Sequence, residues 1–151
     1  VKSSGNSLET EVIIHMNAKE VVDTMLGQDS FSKWLGIEVL QIKPGYCKLS
    51  MIIRADMLNG FGIAHGGISY SLADSALAFA SNAGGIKSLS IETSIAHVES
   101  LKEHDELVAE AFCETETKKL GHYVVTITLK KQPTKKVALF RGIVYKTSKV
   151  W

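Results

Sequence analysis

Residues 66–86 read Gly-Gly-Ile-Ser-Tyr-Ser-Leu-Ala-Asp-Ser-Ala-Leu-Ala-Phe-Ala-Ser-Asn-Ala-Gly-Gly-Ile, and the only charged side chain among them is Asp74. The run predicts a helix over 66–82 that is apolar nearly all round. Such a helix must be wrapped by the rest of the chain. A carboxylate in that setting is costly unless it is hydrogen-bonded or paired, which makes Asp74 a candidate for chemistry. The competing reading is a structural carboxylate bonded to backbone or to Ser71. At the head of the helix, Gly66-Gly67 offers bare backbone N–H groups to an electron-rich atom. The same pair could instead serve close helix packing.

The flanking segments supply the wrapping. Asn17 and Glu20 form a capping-box pattern ahead of Val21, Val22, Met25 and Leu26, a helix expected to end at Gly27. Phe31, Trp34 and Leu35 suggest a further helical turn. Strands are expected over 37–43 and 46–54 around a Pro44-Gly45 turn, followed by a loop over 55–64. After the stop at Gly84-Gly85 come strands over 87–98, 106–117, 123–131 and 137–147, expected as a four-stranded meander with a turn at 132–134. The fold class is therefore α+β: one domain over 16–151, with a curved antiparallel sheet around a long central helix. Residues 1–15 read as a tag or vector remnant, because His15-Met16 matches a common cloning junction.

Charge narrows the partners. With 17 basic and 16 acidic residues the net charge is +1, so no global field calls for nucleic acid or an anionic membrane. No apolar run reaches the roughly 20 residues of a membrane span, and no signal-peptide pattern is present. Cys47 and Cys113 lack metal-ligand spacing and read as buried thiols in a reducing compartment. A cytoplasmic location is expected.

Asn59, His65-Gly66-Gly67 and Ser71-Leu72-Ala73-Asp74 together resemble the signature of PaaI-type thioesterases, the phenylacetic-acid-degradation branch of the hotdog-fold superfamily. Residues 89–97 and 104–111 resemble the family's later strands, with His104 where Gly is usual and Ser100-Leu101 where an Arg-Pro-like pair is common. The resemblance implies hydrolysis of an acyl-CoA thioester with no cofactor, CoA being part of the substrate. It casts Asp74 as nucleophile or general base and the Gly66 amide as the donor that polarises the thioester carbonyl. His65 and Asn59 match positions that orient water or thioester, and Ser90 matches a strand hydroxyl that assists the attacking water. Gly67, Phe61 and Tyr70 are expected near the substrate, with Leu77 and Met57 as further acyl-pocket candidates. Lys118 and Lys119 either dock the CoA phosphates or cap a solvated hairpin end.

Thioester hydrolysis needs an aimed or deprotonated water and a stabilised oxyanion, whereas a thiolate leaves without a strong acid. Asp74 follows Gly66 by eight residues, roughly 12 Å along a helix axis. One thioester cannot reach both groups of a single chain. Two antiparallel copies of the helix would bring them together, so a homodimer with composite sites is expected; the family commonly forms a dimer of dimers. Two other readings stay open. One is a non-catalytic acyl-CoA-binding module. The other is an enoyl-CoA hydratase, which calls for Asp and His about five residues apart at the helix start.

Overall fold

The computed structural model describes residues 15–151, so the reading of 1–15 as a tag or vector remnant lies almost wholly outside the described residues. Two helices, α1 (Ala18–Gln28) and α2 (Ser30–Leu35), precede strands β1 (Glu38–Lys43) and β2 (Tyr46–Ile52). The central helix α3 (Gly66–Asn82) comes next, then β3 (Ile86–His97), β4 (Glu106–Glu116), β5 (Leu120–Leu129) and β6 (Gln132–Val150). The strands form one antiparallel sheet in the order β1-β2-β4-β5-β6-β3. Asn17 caps α1 with both reciprocal bonds of the capping box, as its spacing with Glu20 requires.

The expected wrapping is present. Helix α3 contacts β2, β3, β4, β5 and β6 from one side and α1 and α2 from the other. Leu72, Ala73, Ala76, Leu77, Phe79 and Ala80 are fully buried, each large side chain contributing about 1.5–3 kcal/mol. Ser71, Asp74, Ser75, Ala78 and Ser81 form the less covered stripe, and α2 reaches it through a Ser32–Ser75 hydroxyl contact of 3.0 Å. Beyond Asn82 the chain turns through Gly85, whose φ of +88° is one that L side chains rarely adopt.

Two expectations are corrected. The last four strands are not a meander: β3 pairs with β6 at the far edge, and only β4, β5 and β6 run in sequence. The turn also falls earlier than 132–134, at Lys130-Lys131. Pro133 lies inside β6 instead. The β5–β6 register jumps from Leu129↔Gln132 to Thr128↔Lys136, so residues 133–135 bulge out without partners on β5. A proline there forfeits no ladder hydrogen bond.

The close approach of α3 to the sheet depends on Gly142 in β6. A Cβ at that position would sit 2.6 Å from Leu77 Cδ2 and 3.3 Å from Phe140 Cε1, and both side chains are buried. Gly142→Ala is expected to lower unfolding free energy by about 1–3 kcal/mol in chemical denaturation. Unchanged stability would show that Leu77 has room to move.

Candidate active site

The loop before α3 is tied down by backbone bonds from Ala64 N–H to Leu101 O (2.8 Å) and from His65 N–H to Met57 O (2.9 Å). Asn59 Oδ1 accepts from Phe61 N–H at 2.8 Å, closing a tight turn, and its side-chain NH2 makes no hydrogen bond within the described residues. His65 is the N-cap, and its Nδ1 accepts the Gly67 N–H at 2.9 Å. An accepting Nδ1 places the proton of the neutral ring on Nε2. The Ile68 N–H bonds His65 O at 2.9 Å. Gly66 is thus the one amide of the first turn with no acceptor among the described residues.

The reason for two glycines is visible in what surrounds them. A Cβ on Gly67 would lie 3.1 Å from His65 Nδ1, and one on Gly66 would lie 3.1 Å from His97 Nε2. His97, at the end of β3, received no role from the sequence, yet its ring lies across Gly66. Its Nδ1 is 3.2 Å from Ser69 Oγ, and that hydroxyl also lies 3.2 Å from Gly66 O. Asn59, Gly66, Ser69, His97 and Glu99 line one cavity of about 310 Å³.

Asp74 faces a different cavity, also about 310 Å³, which it shares with Ser90. Its carboxylate is half-buried and has no hydrogen bond or ion pair within the described residues. Burial pushes its pKa up from the ordinary 3.8, because removing water disfavours the charged form. Ser90 reaches the same cavity through a bulge. The β3–β6 register passes from Ser90↔Val144 to Glu92↔Ile143, leaving Ile91 unpaired. Bulges of this kind re-aim side chains beside sites. Within one chain, then, the Gly66 group and the Asp74 group open into separate cavities.

Comparison with known proteins decides the family. The family model described as Thioesterase superfamily matches residues 61–136. The acyl-coenzyme A thioesterase PaaI of Escherichia coli K12 is 36% identical over 118 residues, covering 78% of this chain and 83% of that protein. The chain belongs to the thioesterase superfamily, in its PaaI-type branch. The solved structure of E. coli PaaI superposes with a TM-score of 0.84 at 32% identity, over 88% of this chain and 95% of that one. A phenylacetic acid degradation protein PaaI of Thermus thermophilus gives a TM-score of 0.74 at 34% identity, over 79% of this chain and 100% of that one. The fold is accordingly the hotdog fold, and the chain is a thioester hydrolase.

Within this PaaI-type frame the remaining expected residues scatter. Phe61 is 90% exposed on the loop, and Met57 is buried in the core. Tyr70 bonds Thr93 of β3 through its hydroxyl and packs edge-on against Phe140 at 5.5 Å. Neither Tyr70 nor Phe61 lines the two cavities; Leu77 lines the one with Asp74. Lys118 and Lys119 are exposed at the β4–β5 turn, with Lys119 Nζ 5.6 Å from the centre of the Tyr145 ring. Among the described residues no helix is long and apolar enough to cross a membrane.

Asp74 carries a sign-specific consequence. The fold raises its pKa above the unfolded 3.8, so the folded chain holds that proton more tightly. The associated stability is present below 3.8 and is lost as pH climbs through the raised value. Asp74→Asn is neutral throughout and is expected to melt at or above wild type at pH 7, with the gap closing below pH 4. A variant melting several degrees lower at pH 7 would show that the carboxylate has a structural partner.

Proposed function

We propose that this chain hydrolyses acyl-CoA thioesters at a site completed by a second copy of itself. The observation that carries this reading is the division of the chemistry between two cavities: an amide with no acceptor at Gly66 in one, an unpaired, proton-avid carboxylate at Asp74 in the other. Their separation of roughly 12 Å along α3 is too long for one thioester and suits two antiparallel helices across a two-fold axis. The acyl-CoA substrate of E. coli PaaI supports the choice of thioester.

In this reading a water loses its proton to Asp74 as its oxygen bonds the thioester carbon. The carbonyl oxygen becomes an oxyanion held by the Gly66 N–H of the other copy. Collapse breaks the C–S bond, and the departing thiolate takes the proton back from Asp74. A direct attack by Asp74, followed by hydrolysis of the anhydride, uses the same geometry. Burial makes the carboxylate a stronger base than an exposed one, and Ser90 stands beside it to orient the water. His65 and Asn59 hold the loop that presents the amide, and Gly67 keeps that loop close. No cofactor is called for beyond the CoA of the substrate.

The surface for the second copy is the free edge of β3. Its 12 residues lie at the sheet margin, with Leu89 and Ile91 more than half exposed, as is Val98 just beyond its end. A long apolar edge of that kind is a template for pairing. A dimer or a dimer of dimers follows, and a cytoplasmic location belongs to the same proposal. For the CoA phosphates, Lys118 and Lys119 are the candidate cations, exposed at the β4–β5 turn. Lys130, Lys131 and Lys135 already pair with Glu106, Asp105 and Glu99.

Asp74→Ala is expected to lose 10²–10⁴-fold in kcat against an acyl-CoA panel while binding persists; retained turnover would refute the role of the carboxylate. A Cβ at Gly66 would lie 3.1 Å from His97 Nε2, so Gly66→Ala is the control that keeps the amide. Gly66→Pro removes it, proline being tolerated at the first helical position and His65 already having φ −60° and ψ 136°, which suits a residue before proline. That variant is expected to keep its circular dichroism and lose about 10²–10³-fold in kcat. The wild-type rate should fall as pH drops through a single ionisation lying above 3.8, the base working only when deprotonated. An active monomer in sedimentation at low concentration would contradict the shared site.

A further inference from the structure

The cavity at Asp74 continues along α3 beyond the reacting group. Asp74, Leu77, Ala78 and Asn82 share one face of the helix and all line it. From Asp74 to Asn82 is eight residues, about 12 Å of helix axis. The side walls are mainly apolar, with Met25 from α1, Leu77, Ala78, Leu89 and Val144, and β3 adds Lys87, Ser88 and Ser90 to the lining.

The far end is closed by Trp151. Its Nε1 donates to Asn82 Oδ1 at 2.8 Å, its backbone N–H bonds Gly85 O at 3.0 Å, and Lys87 Nζ lies 4.7 Å from its ring centre. The indole is therefore held from three directions. Asn82 has nothing left to offer a ligand. Its Oδ1 also accepts from Ser88 N–H at 2.9 Å, while its NH2 donates to Ala78 O at 2.9 Å and Ser88 O at 3.0 Å. All four of its hydrogen-bonding positions are used within the chain. A neutral polar acyl terminus would lose its water there and gain no partner from Asn82.

Resting on the thioesterase reading above, we propose that the acyl chain runs along this cavity and that Trp151 is the wall that sets its length. A thioester carbonyl placed at Asp74 leaves about 12 Å to the indole, the reach of roughly eight to ten carbons in extended form. The cavity volume of about 310 Å³ lies at the lower end of the range for small-molecule sites. Acetyl groups would leave most of it empty, and long-chain groups would meet Trp151.

The test is thiol release from acetyl- to palmitoyl-CoA, with the neutral ω-hydroxyoctanoyl-CoA included. Wild type is expected to peak at eight to ten carbons, and to turn over the ω-hydroxy substrate at least tenfold more slowly than octanoyl-CoA. Ala78→Phe blocks the channel midway and should lower the decanoyl-to-acetyl ratio of kcat/KM at least tenfold. Trp151→Ala opens the end and should move the optimum to longer chains. An unchanged profile in both variants, an equal loss at all lengths in Ala78→Phe, or preference for the ω-hydroxy substrate would overturn the assignment. A second readout needs no turnover. With Trp34 replaced by Phe, Trp151 is the sole tryptophan, and its fluorescence should respond saturably to the thioether S-decyl-CoA but not to S-ethyl-CoA. Equal or absent responses would refute the subsite. A clear S-decyl response with no turnover of any thioester would refute the catalytic reading and leave the subsite standing.

Discussion

The burial of α3 is the interaction on which the rest depends. A 17-residue helix with a single charge has no stable place on a surface, so the sheet curves around it and α1 and α2 cover much of what the sheet leaves open. The order of strands follows from that duty. Strand β6, at 19 residues, runs between β5 and β3 and lets the sheet continue past the helix to a second edge. Gly142 on β6 gives Leu77 the space to lie flat against it. The two ends of α3 are fixed by different means, His65 accepting an amide at the start and Asn82 binding Ser88 and Trp151 at the finish.

Placing the carboxylate follows from the same wrapping. Asp74 lies on the one stripe of α3 that is only half-covered, where it escapes full desolvation yet keeps an elevated affinity for a proton. That is a cost to folding and an asset to a base. The amide at Gly66 has a parallel origin. His65 turns back to satisfy Gly67, which leaves the Gly66 N–H without an acceptor among the described residues.

Much of this was legible in the residues themselves. The apolar run delimited α3 at both ends, the capping box placed α1, and the eight-residue spacing of Gly66 and Asp74 already kept those two groups apart. Three things were hidden. Strand order was one, since β3 and β4 are adjacent in sequence and nothing local says that β3 crosses to β6. Pro133 was another: it signalled a turn, but an unpaired bulge tolerates it equally well. His97 was the third. An unpaired residue at Ile91 reverses the alternation of every later side chain on β3, so no count of odd and even positions could have aimed His97 at Gly66. Its only signal was its place in a strand that follows the helix directly.

The central claim is that each active site takes its carboxylate from one copy and its oxyanion donor from the other. Mixing subunits tests it directly. Asp74→Asn and Gly66→Pro are each expected to be nearly inactive alone, each spoiling a different half-site. When equal amounts are unfolded and refolded together, half of the resulting dimers are mixed, and one of their two sites has both groups intact. Turnover should therefore recover to about a quarter of wild type. Recovery no greater than the average of the two single variants would contradict the account, because it would mean that both groups act within one chain.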